Sequence, residues 1–171
     1  VEKVALCVQQ HAVLDCNLGE HPVAKFTGNT TGLVKNKAYW DKQFSENMVV
    51  VCTAQILLEC LNSGFITMSQ INLLIFDEAH HAKGAHPYAR VMKSHYFAHR
   101  GERPRILSMT ASPVDSKTRD VKATALELER ALDSEIKTVS DEVLIESMAR
   151  QKQVEERVDY SPLEFPEDTK T

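Results

Sequence analysis

Two carboxylates and a run of imidazoles stand where an apolar stretch stops: residues 72–88 read NLLIFDEAHHAKGAHPY. Three kinds of chemistry fit these residue types. In the first, a buried strand ends in Asp-Glu and holds both acids rigidly at a sheet edge. Asp77 then associates with Mg²⁺ through water, and Glu78 orients and deprotonates an attacking water, which is the apparatus of nucleotide hydrolysis. The full string Asp77–His80, D-E-A-H, carries more weight than a bare acidic pair. In the second, His80, His81 and His86 join a carboxylate around zinc. Neither H-E-x-x-H nor H-x-x-E-H occurs, no Cys pair assists, and adjacent His80 and His81 are expected to point apart on any regular element. The third is a polar loop with solvated histidines. Taken singly, His81, His86, His95 and His99 read as helix caps or surface positions, and His11 and His21 carry no signal.

An acidic pair of this kind works only if regular elements hold it in place. Val4–Val8 (VALCV) reads as a short buried strand, followed by a helix from Gln9 to about Asn17. Val23–Phe26 reads as a second strand, and the aromatic spacing of Lys35–Glu46 as a helix. Met48–Cys52 is the most strand-like run. Gln55–Asn62 reads as a helix stopped by Gly64. Ile71–Phe76 is the strand that leads into the acids. Pro87 suits the first turn of a helix reaching about Phe97, with Tyr88, Val91, Met92, His95 and Tyr96 on one side. Arg105–Met109 is a further strand. Val121, Ala125, Leu128 and Leu132 form the stripe of another helix. Ile136–Val139 is expected as a short strand and 141–156 as a last helix, and the terminal SPLEFPEDTKT as a linker. Alternating helices and continuous apolar strands predict an α/β fold: a parallel sheet covered on both faces, with its ligand edge at the strands' carboxyl ends. Thr53 and Thr110 lie at such ends, as do the acids.

Composition fits one ordinary domain: 171 residues, 43% hydrophobic and 26% charged. Residues 1–114 carry 11 Lys/Arg against 9 Asp/Glu, and the rest 9 against 15, so a slightly basic body precedes an acidic tail. That balance is compatible with nucleic acid or with a protein partner. Cys7, Cys16, Cys52 and Cys60 form no C-x-x-C pair and are expected as free thiols, which suits a cytoplasmic location with the nucleus as the alternative. No apolar run approaches the roughly 20 residues needed to span a bilayer. There is no initiator Met and no signal-peptide layout, and the chain is expected to be cut from a longer protein.

The D-E-A-H string is joined by T-A-S at Thr110–Ser112 and preceded by VVVCTAQILLECL at 49–61. Together these resemble motifs II, III and Ib of superfamily 2 helicases. The longer strings VALCVQQHAVL (4–14), INLLIFDEAHHAKGAHPYARVMK (71–93) and PRILSMTASPVD (104–115) resemble the helicase region of Dicer proteins, most of all fungal Dicer-like proteins. The resemblance runs to about residue 140. It implies a RecA-like first helicase domain over 1–140, leading into a helical or linker segment over 141–171, and it implies ATP, Mg²⁺ and double-stranded RNA as ligands. By that resemblance Asp77 is the Mg²⁺-associated acid and Glu78 the water-activating acid. His80 links nucleotide state to motif III, and Thr110 and Ser112 couple hydrolysis to RNA. Gln9, Gln10, Thr53 and Gly28 match RNA-contacting positions. Alternatives that the residues leave open are an RNA-sensing helicase without nuclease domains and a non-catalytic RNA- or protein-binding scaffold.

A phosphate loop needs G-x-x-x-x-G-K-[ST], and no glycine of this chain has another glycine five positions later. In the family resembled, that loop lies upstream and its strand lies centrally in the sheet. The sheet is therefore expected to be partial, with the P-loop strand missing, and the chain alone to be poorly stable. The remaining helicase and ribonuclease III regions are expected elsewhere in the parent protein.

Overall fold

In the computed structural model, which describes residues 1–28, 36–112 and 120–138, four short strands form two parallel pairs. Strand β1 (Val23–Phe26) lies beside β2 (Val49–Cys52), with Phe26 level with Cys52. Strand β3 (Leu73–Asp77) lies beside β4 (Arg105–Met109), with Asp77 level with Met109. The helices are α1 (Val4–Asn17), α2 (Lys37–Glu46), α3 (Ala54–Asn62), α4 (Pro87–Val91) and α5 (Val121–Leu132). Strands and helices alternate and the pairing is parallel, as the α/β reading requires. The sheet is partial, as expected: among the described residues it is two separate parallel pairs with no strand bridging them.

Local chemistry sets the helix ends. Asn36 caps α2 by accepting from the Tyr39 N–H at 2.8 Å, and Asp120 caps α5 by accepting from the Ala123 N–H at 3.0 Å. Helix α3 stops in a Schellman motif. Gly64 takes φ +66°, its N–H donates to Leu61 O at 3.2 Å, and the Phe65 N–H reaches back to Cys60 O at 2.9 Å. Pro87 opens α4, whose last turn widens into a π-turn at Met92–Tyr96.

The core gathers Leu58 and Leu61 of α3, Leu74 and Phe76 of β3, Tyr88 and Val91 of α4, Met92 of its π-turn and Leu132 of α5. Phe26 joins it through Trp40 of α2, with ring centroids 4.8 Å apart. Burial along β3 alternates. Leu74 and Phe76 face inward, while Leu73 and Ile75 stay 47% and 48% exposed, as do Leu107 and Met109 of β4 at 47% and 43%. The continuous apolar run of β3 thus has one covered face and one half-open face.

Two expectations about elements are corrected. Val4–Val8 is not a strand but the first turns of α1, begun by the Cys7 N–H bonding to Lys3 O at 3.0 Å. A five-residue apolar run does not distinguish a strand from a helix turn by periodicity. Docking decides it: Cys7 is fully buried and its Sγ lies 3.4 Å from Val51 O on β2, while Val4 and Val8 are about half exposed. Residues 136–138 form no strand either, and the Ile136 N–H instead donates to the Glu129 carboxylate at 2.8 Å. The expected helix at 141–156 and the terminal linker lie outside the described residues.

Burial first, then the neighbouring Cys52 and Glu59, push the Cys60 thiol from 9.0 up to about 12. An unfolded chain ionises this thiol at lower pH than the folded one, so its contribution to stability is whole below pH 9 and is lost as pH rises towards 12. Urea unfolding followed from pH 8 to 11 should show stability falling above about pH 9, and Cys60→Ala should make that fall shallower, the remainder coming from Cys52, whose thiol burial pushes up to about 11.

Candidate active site

Because β3 and β4 run parallel with Asp77 level with Met109, residues 78–81 and 110–112 leave the sheet side by side. Glu78 turns the chain abruptly. Its backbone is left-handed, at φ 51° and ψ 49°, a region that costs a non-glycine residue and persists only where neighbours hold it. A 3₁₀ turn at Ala79–His81 follows, closed by His81 N–H to Glu78 O at 3.1 Å and Ala82 N–H to Ala79 O at 2.9 Å. Ala79 and Ala82 are 1% and 2% exposed, so the turn is seated on the core through its two small side chains. Ala79 therefore anchors the turn by packing.

Both acids are half-buried at the strand end. Asp77 accepts the Glu78 N–H on Oδ1 at 3.1 Å, and its backbone carbonyl accepts the Tyr88 hydroxyl at 2.8 Å. Burial, with Asp77 next, holds the Tyr88 phenol well above its ordinary value, so it stays a donor at any physiological pH. The Glu78 carboxylate lies 3.3 Å from His80 Nδ1, and the same nitrogen lies 2.8 Å from Thr110 Oγ1. Thr110 donates its own proton to Ser112 O at 3.1 Å. It must therefore accept from His80, which fixes the Nδ1–H form of that imidazole. Asp77, Glu78, His80 and Thr110 are thus brought together as the sequence suggested, with Ser112 held through its carbonyl.

His80 and His81 do not point apart. In the tight turn their rings lie 4.1 Å apart between centroids, and His81 stacks on His86 at 5.6 Å and 22°. His86 caps α4, its Nδ1 accepting from the Tyr88 N–H at 3.2 Å, and burial followed by the nearby His81 lowers its pKa. His81 Nε2 lies 3.1 Å from the Glu2 carboxylate. Among the described residues no group of three His, Cys, Asp or Glu side chains is placed to hold a metal ion, so the zinc alternative finds no ligand set.

The other polar positions sit at the second strand pair. Thr53 follows β2 directly and opens α3, its N–H bonding to Phe26 O at 3.4 Å. Gly28 lies two residues past β1 and is exposed. On α1, Gln9 is exposed and Gln10 half-buried. Val1 stitches this edge: its terminal ammonium donates to Cys52 O and its carbonyl accepts from the Ala54 N–H, both at 3.0 Å. Glu78, His80, His81 and Ser112 line an open cleft of about 970 Å³ that also meets Lys83, Lys93 and Arg130. Sequence reading missed Glu2 and Tyr88. Tyr88 looked like a core aromatic, and Glu2 has no local pattern that points 79 positions along the chain.

A parallel α/β fold with two acids at a strand end and a His–Thr bridge to the next strand defines a helicase-type domain. The comparisons agree. The family described as type III restriction enzyme, res subunit, matches residues 2–115, and the chain belongs to it. The helicase domain of Hef from Pyrococcus furiosus superposes with a TM-score of 0.62 at 25% identity, covering 80% of this chain and 27% of that one. At finer grain the chain is similar to part of fungal Dicer-like proteins. It is 48% identical to Dicer-like protein 1 of Cryphonectria parasitica over 169 residues, 97% of this chain and 11% of the relative. It is 48% identical to Dicer-like protein 1 of Aspergillus oryzae over 171 residues, 99% of this chain and 11% of the relative. The chain therefore spans about a tenth of the length of these relatives.

Tyr88→Phe removes the donor to the Asp77 carbonyl and leaves that half-buried oxygen without its partner. It should cost about 1–3 kcal/mol of stability by denaturant titration. It should also speed amide hydrogen exchange at residues 78–82 more than in α3.

Proposed function

We propose that this chain forms the acidic half of the ATP-hydrolysing site in the helicase domain of a Dicer-like protein, where hydrolysis is coupled to engagement of double-stranded RNA. The observation that carries the reading is the His80–Thr110 hydrogen bond at 2.8 Å. It ties the turn bearing both acids to the loop after the next strand, which is what a coupling element must do if a change at one is to be felt at the other.

In this reading Asp77 would hold Mg²⁺, through water. The donor type fits, since Mg²⁺ prefers hard oxygens from one or two carboxylates and keeps several waters. Asp77 Oδ1 is taken by the Glu78 N–H, which orients the carboxylate and leaves Oδ2 for a water-borne contact. Bound Mg²⁺ supplies charge neutralisation to the phosphates. Glu78, which lies beside the cleft and 3.3 Å from His80, takes the proton of an attacking water in this reading. Gln9, Gln10, Thr53 and Gly28 are the candidate backbone contacts to RNA, a mode of recognition by shape rather than by sequence. The partners are the remaining helicase domains and the ribonuclease III domains of the same parent protein, in the cytoplasm or the nucleus.

The test compares two proteins. The 171-residue chain, which has no G-x-x-x-x-G-K-[ST] string, should show no sustained Mg²⁺-dependent ATP turnover. A longer protein carrying that string upstream of this segment should turn over ATP, with stimulation by double-stranded RNA, and Glu78→Gln should reduce kcat by about 10²–10⁴-fold. Turnover by the short chain that Glu78→Gln abolishes would sink the half-site reading.

A further inference from the structure

We propose that Glu2 is a positioning residue of the acidic turn, tying the start of α1 to His81. The proposal rests on the ATPase reading above for its consequence and on geometry alone for the contact.

The backbone around Glu2 is fixed before its side chain does anything. Val1 donates to Cys52 O and accepts from the Ala54 N–H, both at 3.0 Å. The two contacts follow the spacing of a parallel rung, with the Val1 terminal ammonium as the donor. The rung lies on the edge of β2 away from β1, since the intervening Thr53 N–H points the other way, to Phe26 O. The rung sets Glu2 at the junction of the two strand pairs. Its carboxylate then lies 3.1 Å from His81 Nε2, an ion-pair distance. The imidazole is held from its other sides, by His80 at 4.1 Å and His86 at 5.6 Å between ring centroids.

An exposed ion pair usually contributes little, because two long side chains must be ordered to make it. Here the ordering is already done by the rung on one side and by the ring stack on the other. Among the described residues, three polar side chains from outside the acidic turn reach it. Tyr88 of α4 holds the Asp77 carbonyl, Thr110 after β4 holds His80, and Glu2 holds His81. The first two come from the half of the molecule that contains β3. Glu2 comes from the β1–β2 half, two residues before the helix that carries Gln9 and Gln10. It is thus a polar tether through which the position of α1 bears on Glu78.

Two measurements test this. In the 171-residue chain, ¹⁵N imidazole NMR should find His81 in the Nε2–H form. Glu2→Leu should release that form and speed amide exchange at residues 78–82, whereas Glu2→Gln, which keeps an acceptor oxygen, should preserve both. In the longer protein with the phosphate loop, Glu2→Leu should lower RNA-stimulated kcat about tenfold with KM for ATP within about twofold, and Glu2→Gln should recover most of the loss. A Leu variant with unchanged kcat, a parallel rise in KM, or no recovery by Gln would overturn the positioning role. If the longer wild-type protein hydrolyses no ATP, the functional reading fails, while the NMR arm still decides whether Glu2 orders the turn.

Discussion

Parallel pairing of β3 with β4 brings Asp77 level with Met109, and the geometry of the acid edge follows from that alignment. Because the two strands run the same way and end together, the loops that follow them emerge as neighbours. His80 and Thr110, 30 residues apart in sequence, then meet at hydrogen-bond distance. An antiparallel pairing, or a register slipped by one residue, would break this. A one-residue slip would also turn Leu74 and Phe76 from the core to the open face, so the burial of those two side chains enforces the register that the site needs. Packing and chemistry are here the same constraint seen from the two ends of one strand.

The left-handed backbone at Glu78 shows how that constraint is spent. A strand that simply continued would carry the second acid to the opposite side of the sheet from the first. The turn at φ 51° instead keeps Glu78 beside the strand end and starts the short helix that presents His80 and His81. Such a conformation is unfavourable by itself and is held by its surroundings. Two alanines seated in the core, a buried phenol on the Asp77 carbonyl and a threonine on His80 supply that hold.

Much of this was legible in the sequence, and the exceptions have physical causes. Strand β4 and helix α5 were readable to the residue, because one is a short run bounded by charge and by Thr110, and the other repeats its apolar stripe over three turns. The acidic pair, His80, Thr110 and Ser112 were readable from residue type, spacing and family likeness together. VALCV was misread because an apolar run of five residues fits either periodicity, and only the seat found by Cys7 against β1 and β2 chooses the helix. The contacts of Glu2 with His81 and of Tyr88 with Asp77 are created by the chain crossing back on itself, so no local pattern announces them. The close approach of the His80 and His81 rings was missed because it depends on the tight turn, which depends in turn on Glu78.

The half-open face of β3 and β4 has a bearing on how the molecule behaves in bulk. Leu73, Ile75, Leu107 and Met109 are neighbouring strand side chains, each close to half exposed. Water is a poor neighbour for such side chains, and contiguous apolar strand surface is what draws one chain to another. The colloidal behaviour of the polypeptide should then be set by these side chains rather than by its small net charge of −4. Sulfate and phosphate, which strengthen apolar association, would narrow the range of concentration over which it stays dispersed, and mild chaotropes would widen it.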